Sequence, residues 1–422
     1  MSDTISIICE SILALLIAYH FLRSFFNKDK TLIWSPISTV SLTYLYYCVW
    51  PFFGPKKEIF QIVESFYDGY LFHIAALLSY VFILIGFSFS SRANFKRWNH
   101  RFSKKNSGTL GLLITLIGIL GYSSVRGFHF TFAISNASDE LAIGGFVYYL
   151  MMAINLLTFG GALLLVALKN NKVSLLYWVV FWFILVQFLI AGARWRIVVT
   201  AITMLTTFYL YPKPKKANLG VIMILAFIMY LGFSAMDTVR SRGRGIDVEK
   251  AKSLKYDDIK GGAFENESVY TFSLKSMYYL HESGVRCYFT PIITAVAMPI
   301  PRFLFPWKPD ASYFRIIEVK VNGDFSGAAY LNFVESYYSF GWFGVIFWAW
   351  FLGWFARRFW DNYQRNKASI GAIVGLGVIS GLCYTIISRG YLASTLTSLI
   401  ICLCVPFWIA NIYKQITTKK IK

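Results

Sequence analysis

Residues 188–202 read FLIAGARWRIVVTAI, and two arginines, Arg194 and Arg196, interrupt this otherwise apolar run. A guanidinium stays charged and presents a planar fork of donors that takes phosphate oxygens two at a time. At the centre of a bilayer an arginine costs about 2.5–3.5 kcal/mol on insertion scales, so two of them in apolar surroundings need a reason. Arg389 repeats the arrangement in ISRGYL. Further cations stand at Arg240, Arg242 and Arg244 in RSRGRG, at Arg302 and Lys308 in PRFLFPWKPD, and at Arg315. One carboxylate, Glu335 in YLNFVESYYSFGWFG, is placed to take a proton from a hydroxyl. The combined chemistry is anion binding beside a general base. Each residue also has a plainer reading. Arg194 and Arg196 can snorkel to headgroups. The alternate spacing of Arg240, Arg242 and Arg244 fits a solvated charge run, and Glu335 can serve as a structural partner of one arginine.

The elements that position these residues follow from composition. The chain has 422 residues, 57% apolar and 15% charged, with mean hydropathy +0.54. Soluble domains carry about 25% charged residues. Here the charges gather in clusters, and the apolar stretches between them run to about 18–22 residues, enough to cross a bilayer as helices. Backbone groups in lipid need internal partners, which predicts a helical bundle. No alternating strand pattern of a barrel is present. About eleven spans are expected, near 5–22, 32–53, 70–90, 108–125, 145–168, 174–192, 195–211, 219–238, 330–356, 368–387 and 391–412.

Charge sets the orientation. RSFFNKDK, SRANFKRWNHRFSKK, KNNK, YPKPKK, ARRFWDNYQRNK and KQITTKKIK fall on one side and hold 22 of the 41 Lys and Arg. That side is cytoplasmic. It puts the N-terminus outside, the C-terminus inside, and Arg194, Arg196 and Arg389 at the outer face. The net charge of +20 is thereby explained by basic cytoplasmic loops, with no nucleic-acid partner required. Five of the six cysteines lie in apolar spans, which excludes a disulfide framework and a zinc site. The expected fold is an all-α integral membrane protein, a polytopic bundle of about 11 transmembrane helices. Residues 1–238 hold about eight spans. Residues 239–329 form one large external loop, with a re-entrant or interfacial piece near 291–306. Residues 330–422 hold the last three spans and a cytoplasmic tail.

Four segments resemble a known family, the Wzy-type bacterial polysaccharide polymerases, which include O-antigen, enterobacterial-common-antigen and capsule repeat-unit polymerases. AGARWRIVV is similar to the family's Gly-(Ser/Thr)-Arg turn, with Ala193 where a hydroxyl residue is usual. MPIPRFLFPWKPDASYF resembles the proline-rich, Trp-bearing end of the large periplasmic loop. NFVESYYSFGWFGVI and SRGYL are similar to the segments around the last spans. The related lipid-A-core ligases carry a histidine just before a late span. This chain reads AAYLNFVESYYSFG there, which favours a polymerase over a ligase and puts a histidine base in doubt.

The resemblance implies a membrane-embedded, GT-C-like inverting glycosyltransferase of the bacterial inner membrane, acting at its outer face. It would need neither metal nor other cofactor. The donor would be a glycan on undecaprenyl pyrophosphate and the acceptor a lipid-linked repeat unit. A chain-length regulator and a flippase are the implied partners. Catalytic roles fall to Glu335 as base and Arg194, with Arg196, Arg240, Arg244, Arg302, Lys308, Arg315 and Arg389 binding pyrophosphate or lipid-linked glycan. The readings that compete are the ligase and, from another class, a transporter or flippase for lipid-linked sugar. Outward clustering of charge and a large outer loop favour the enzyme, since transporters place ionisable groups near the midplane.

Overall fold

The computed structural model describes residues 2–27, 29, 31–54, 69–90, 92, 95–126, 146–170, 176–177, 179, 182, 194–218, 220, 240–241, 245–246, 265–297, 300, 304–307, 313–323 and 329–419. In chain order the helices are α1 (Ser2–Phe26), α2 (Pro36–Tyr44), α3 (Trp50–Phe53), α4 (Tyr70–Ser88), α5 (Lys96–Asn99), α6 (Ser107–Arg126), α7 (Phe146–Met152), α8 (Leu156–Lys169), α9 (Arg194–Leu210), α10 (Glu265–Ser283), α11 (Thr290–Ala297), α12 (Arg315–Asn322), α13 (Asn332–Arg365), α14 (Ile370–Ser388), α15 (Leu392–Leu399) and α16 (Val405–Lys419). Single π turns, Leu45–Val49 and Ile400–Cys404, continue α2 into α3 and α15 into α16. A two-residue antiparallel pair, β1 (Arg240–Ser241) with β2 (Gly245–Ile246), is the extended pairing among the described residues.

Seven helical stretches among the described residues are long and apolar enough to cross a membrane: Thr4–Phe26, Tyr70–Ser88, Ser107–Val125, Tyr149–Lys169, Asn332–Arg365, Ile370–Ser388 and Leu392–Thr417. The chain is a helical membrane protein. Each stretch coincides with one of the spans read from the sequence. The span near 195–211 is the shorter apolar helix Trp195–Leu210. The span near 32–53 is built from α2, the π turn and α3 in series. Apart from a few positions, the spans near 174–192 and 219–238 lie outside the described residues. Within the expected external loop, α10, α11 and α12 are described.

The chain forms two compact units. Unit 1 comprises Met1–Lys96, Glu265–Lys367 and Ile379–Leu399; unit 2 comprises Arg97–Phe264, Ala368–Val378 and Ile400–Lys422.

In unit 1, α4 and α13 cross at backbone distance. A Cβ on Gly86 would overlap the Trp350 carbonyl oxygen, and one on Gly353 the Ile83 carbonyl oxygen. Lipid tails are as apolar as leucine, so helices in a bilayer associate through such close packing and through buried polar groups. The polar ties are hydroxyls. Tyr44 donates to Ser79 at 2.8 Å, Ser41 pairs with Tyr80 at 2.8 Å, and Tyr47 pairs with Tyr384 at 2.8 Å. Helix α13 is broken near its start. Phe340 (φ −137°, ψ 23°) and Gly341 (φ 62°, ψ −145°) leave helical geometry. The Gly341 conformation is open essentially to glycine. The break makes residues 332–339 a separate half-helix that carries Glu335.

In unit 2, α6 packs through glycines against α8 and the turn 153–155 that leads into it. A Cβ on Gly118 would come within 2.8 Å of the Ala153 carbonyl oxygen, and one on Gly111 within 3.0 Å of that of Gly160. Thr158 and Thr200 share a hydrogen bond of 2.9 Å between α8 and α9, and Thr203 donates to the Gly377 carbonyl at 3.1 Å.

Candidate functional site

Glu335 lies in the first turn of α13 and is buried, 6% exposed. Two donors hold its carboxylate. The Tyr313 hydroxyl donates to Oε1, and the Leu392 backbone N–H reaches Oε1 at 3.2 Å and Oε2 at 3.0 Å. Leu392 opens α15, so the carboxylate sits where a helix presents unpaired N–H groups and positive dipole. The loop around it is tied in. Gly390 N–H donates to the Tyr330 carbonyl at 2.7 Å, and the rings of Tyr391 and Tyr313 stack at 5.6 Å. Phe314 stacks on Tyr330 at 3.5 Å. Burial and the neighbouring Glu335 carboxylate push the Tyr313 phenol well above its usual range, which keeps it a hydrogen-bond donor.

A cavity of about 200 Å³ opens onto this carboxylate. Its polar lining comes from Asn332, Glu335, Ser336 and Ser339 on the half-helix and from Tyr391 and Thr395 at α15; its apolar lining includes Trp348, Phe351 and Leu396. A carboxylate accepts about four hydrogen bonds. Tyr313 and Leu392 leave capacity for a hydroxyl entering from the cavity.

A second layer holds the half-helix itself. His281 Nδ1 is 2.9 Å from the Tyr337 hydroxyl, and Cys287 N–H donates to the Tyr338 carbonyl at 2.9 Å. Arg286 lies with its guanidinium 4.6 Å from the centre of the Tyr337 ring and donates to the Leu280 and Val285 carbonyls at 2.9 and 2.8 Å. Its Nε is 3.7 Å from where a Cβ on Gly341 would stand, which puts the cation beside the helix break. Burial pushes the Cys287 thiol up to about 12, so it stays protonated and unreactive.

Arg196 belongs to unit 2, on the first turn of α9, and is 6% exposed. Its guanidinium approaches the Met152 sulfur, Nη2 to Sδ 3.8 Å, and lies 5.1 Å from the Trp195 ring centre. Among the described residues its Nε is buried without a hydrogen-bond partner. Burying a charge with a thioether and a ring as company is expensive, and an anion would satisfy it. Arg194 opens α9; its side chain lies outside the described set.

The other sequence-derived residues divide clearly. Arg389 is half-buried in the turn leading into α15, three residues before Leu392, whose N–H donates to Glu335. Arg315 is exposed at the start of α12, two residues after Tyr313. Arg240 is described by its backbone, paired with Ile246. Arg242, Arg244, Arg302 and Lys308 lie outside the described residues. Unit 1 thus gathers Glu335 and the Arg389 turn, with Arg315 on the helix that follows Tyr313. Sequence reasoning missed Tyr313, Tyr391 and Arg286. Tyr313 falls within the quoted motif MPIPRFLFPWKPDASYF, but nothing local marks its hydroxyl as Glu335's partner. Among the described residues no group of three or more His, Cys, Asp or Glu side chains is arranged to hold a metal ion. No family model, curated protein or solved structure matches the chain.

Proposed function

We propose that the chain is a Wzy-type polymerase that joins undecaprenyl-pyrophosphate-linked oligosaccharide repeat units by inverting block transfer. In this reading it has about eleven spans and one large external loop, sits in the bacterial inner membrane, and works at the outer face. The observation that carries the reading is Glu335: a buried carboxylate, anchored by two donors, facing a cavity with spare acceptor capacity. A base so held can take the proton of an acceptor sugar hydroxyl as that oxygen attacks the anomeric carbon of the donor. The bond to pyrophosphate breaks, and the lipid pyrophosphate leaves with the developing negative charge. Arginines stabilise that charge. The buried guanidinium of Arg196, whose Nε has no partner among the described residues, supports an anion-binding role, and Arg194, Arg240, Arg244, Arg302, Lys308, Arg315 and Arg389 remain assigned to it by resemblance.

The test is reconstitution of the purified protein with a lipid-linked repeat unit and no nucleotide. A ladder of lengthening glycans that vanishes in Glu335→Ala and Arg194→Ala is the expected result. Movement of the lipid across the bilayer without a ladder would replace this reading by the transporter.

A further inference from the structure

Unit 1 holds a second buried polar constellation. Glu10 on α1, His73 on α4 and Tyr270 on α10 form a line of two hydrogen bonds. Glu10 Oε1 is 2.7 Å from His73 Nδ1, and His73 Nε2 is 3.1 Å from the Tyr270 hydroxyl. None of the three exceeds 1% exposure. The rings of Phe52 and Phe72 lie 4.8 and 5.3 Å from the imidazole. Glu10 and His73 both sit in helices of membrane-crossing length, where ionisable groups are costly and mark function. Glu10 Oε2 is buried and has no hydrogen-bond partner among the described residues.

The imidazole has two faces, one on a carboxylate and one on a phenol. With a proton on both nitrogens, the Glu10–His73 pair is electrically neutral. With one proton fewer, a net negative charge remains in apolar surroundings, which is the costly state. Helix α10 is placed to feel the difference. Besides Tyr270, its Asn266 donates to the Tyr46 carbonyl at 3.1 Å. Ser273 Oγ accepts from the Leu331 N–H at 3.0 Å, and His281 bonds Tyr337. Leu331 and Tyr337 bracket Glu335. One helix therefore runs from the buried pair to both sides of the candidate base.

We propose that the Glu10–His73–Tyr270 line is a proton-binding site, and that loss of its proton loosens α10 and with it the half-helix bearing Glu335. Among the described residues, the titratable groups near Glu10 besides His73 include Cys9 on its own helix and Cys48 from the π turn Leu45–Val49. Tyr270 faces His73 from α10. On α1, His20 bonds Ser38, about 15 Å along the helix from Glu10. The cation of α13 that reaches α4 is Arg357, which bonds the Phe87 carbonyl about 21 Å along that helix from His73.

The test is amide hydrogen exchange of the purified full chain in lipid nanodiscs between about pH 5 and about pH 8, the range in which histidine charge changes. Rates are corrected for their intrinsic pH dependence. Protection of residues 265–283 and 330–341 is expected to fall together by roughly tenfold or more as pH rises. Glu10→Gln removes the charge and should flatten the response to within roughly threefold. Tyr270→Phe keeps the ring against Phe72 but cuts the line, and should abolish the response of α10. A flat wild-type profile overturns the proposal. So does a response that survives in Tyr270→Phe, or one in 265–283 that 330–341 does not follow. The readout is exchange, not polymer, so its failure and that of the glycosyl-transfer reading are separate results.

Discussion

Glu335 and Arg196 are equally buried, each 6% exposed, yet their surroundings are opposite. Glu335 is held by a phenol and a helix N-terminus in unit 1. Arg196, in unit 2, has a thioether and an indole ring near it and a buried Nε without a partner among the described residues. The carboxylate is oriented before anything binds. The guanidinium is charged before anything binds, and among the described residues its Nε has no hydrogen-bond partner. A protein tolerates the first arrangement for positioning. It tolerates the second when a ligand completes it, because an unsatisfied buried polar group costs about 1–3 kcal/mol and more when charged.

The sharpest way to break the contrast is at Glu335. Glu335→Gln keeps an acceptor for Tyr313 and Leu392 but removes the proposed base. Polymer formation should fall by about 10²–10⁴-fold with thermal stability nearly unchanged. Glu335→Ala producing polymer at the wild-type rate would reduce Glu335 to a helix cap.

At Arg196 the two properties should move in opposite directions. Arg196→Met removes a buried charge whose Nε has no partner among the described residues, so the unliganded chain should melt higher, while activity falls by about 10²–10³-fold. Added pyrophosphate should raise the melting temperature of wild type and not of the variant. If Arg196→Met melts lower and pyrophosphate has no effect on either protein, the arginine is a structural residue and the contrast with Glu335 dissolves.

Much of this architecture was legible in the sequence because lipid imposes a simple rule: apolar length predicts a helix. That rule located the stretches Thr4–Phe26, Tyr70–Ser88, Ser107–Val125, Tyr149–Lys169, Ile370–Ser388 and Leu392–Thr417 within a few residues, and placed the start of α13 but not its end, which lies at Arg365 rather than 356. It failed to see that 32–53 is interrupted by a π turn, or that α13 is broken at Gly341, since neither changes hydropathy. The site was half legible. Glu335 stood out as a carboxylate in an apolar run. Its partners did not, because Tyr313 is 22 residues away and Leu392 acts through its backbone, which no side-chain pattern reports. Glu10 and His73 were hidden for a related reason. Sixty-three residues separate them, and each looks like an isolated polar residue in its own span.

The Gly341 break tests whether the orientation of Glu335 depends on the half-helix. Alanine at φ 62°, ψ −145° is strained by about 1–3 kcal/mol through its backbone alone, since a Cβ there would meet Arg286 only at ordinary contact distance, 3.7 Å. Gly341→Ala should lower stability by that order and reduce polymer formation without altering Arg196-dependent pyrophosphate binding. Loss of both together would mean that the variant has unfolded more than the half-helix.

The smallest effect is expected at Tyr313. Tyr313→Phe deletes one hydroxyl and keeps the stack on Tyr391. Leu392 N–H still reaches both carboxylate oxygens, so Glu335 stays anchored. A hydrogen bond to a charged group contributes about 1.5–3 kcal/mol, but some of that returns as freed acceptor capacity toward the cavity. The variant should therefore keep its fold and lose no more than about tenfold in rate, at least about ten times less than the loss expected at Glu335. If Tyr313→Phe instead matches Glu335→Gln in lost rate at unchanged stability, the phenol handles the proton alongside the carboxylate, and the pre-oriented group of unit 1 is a pair rather than a single base.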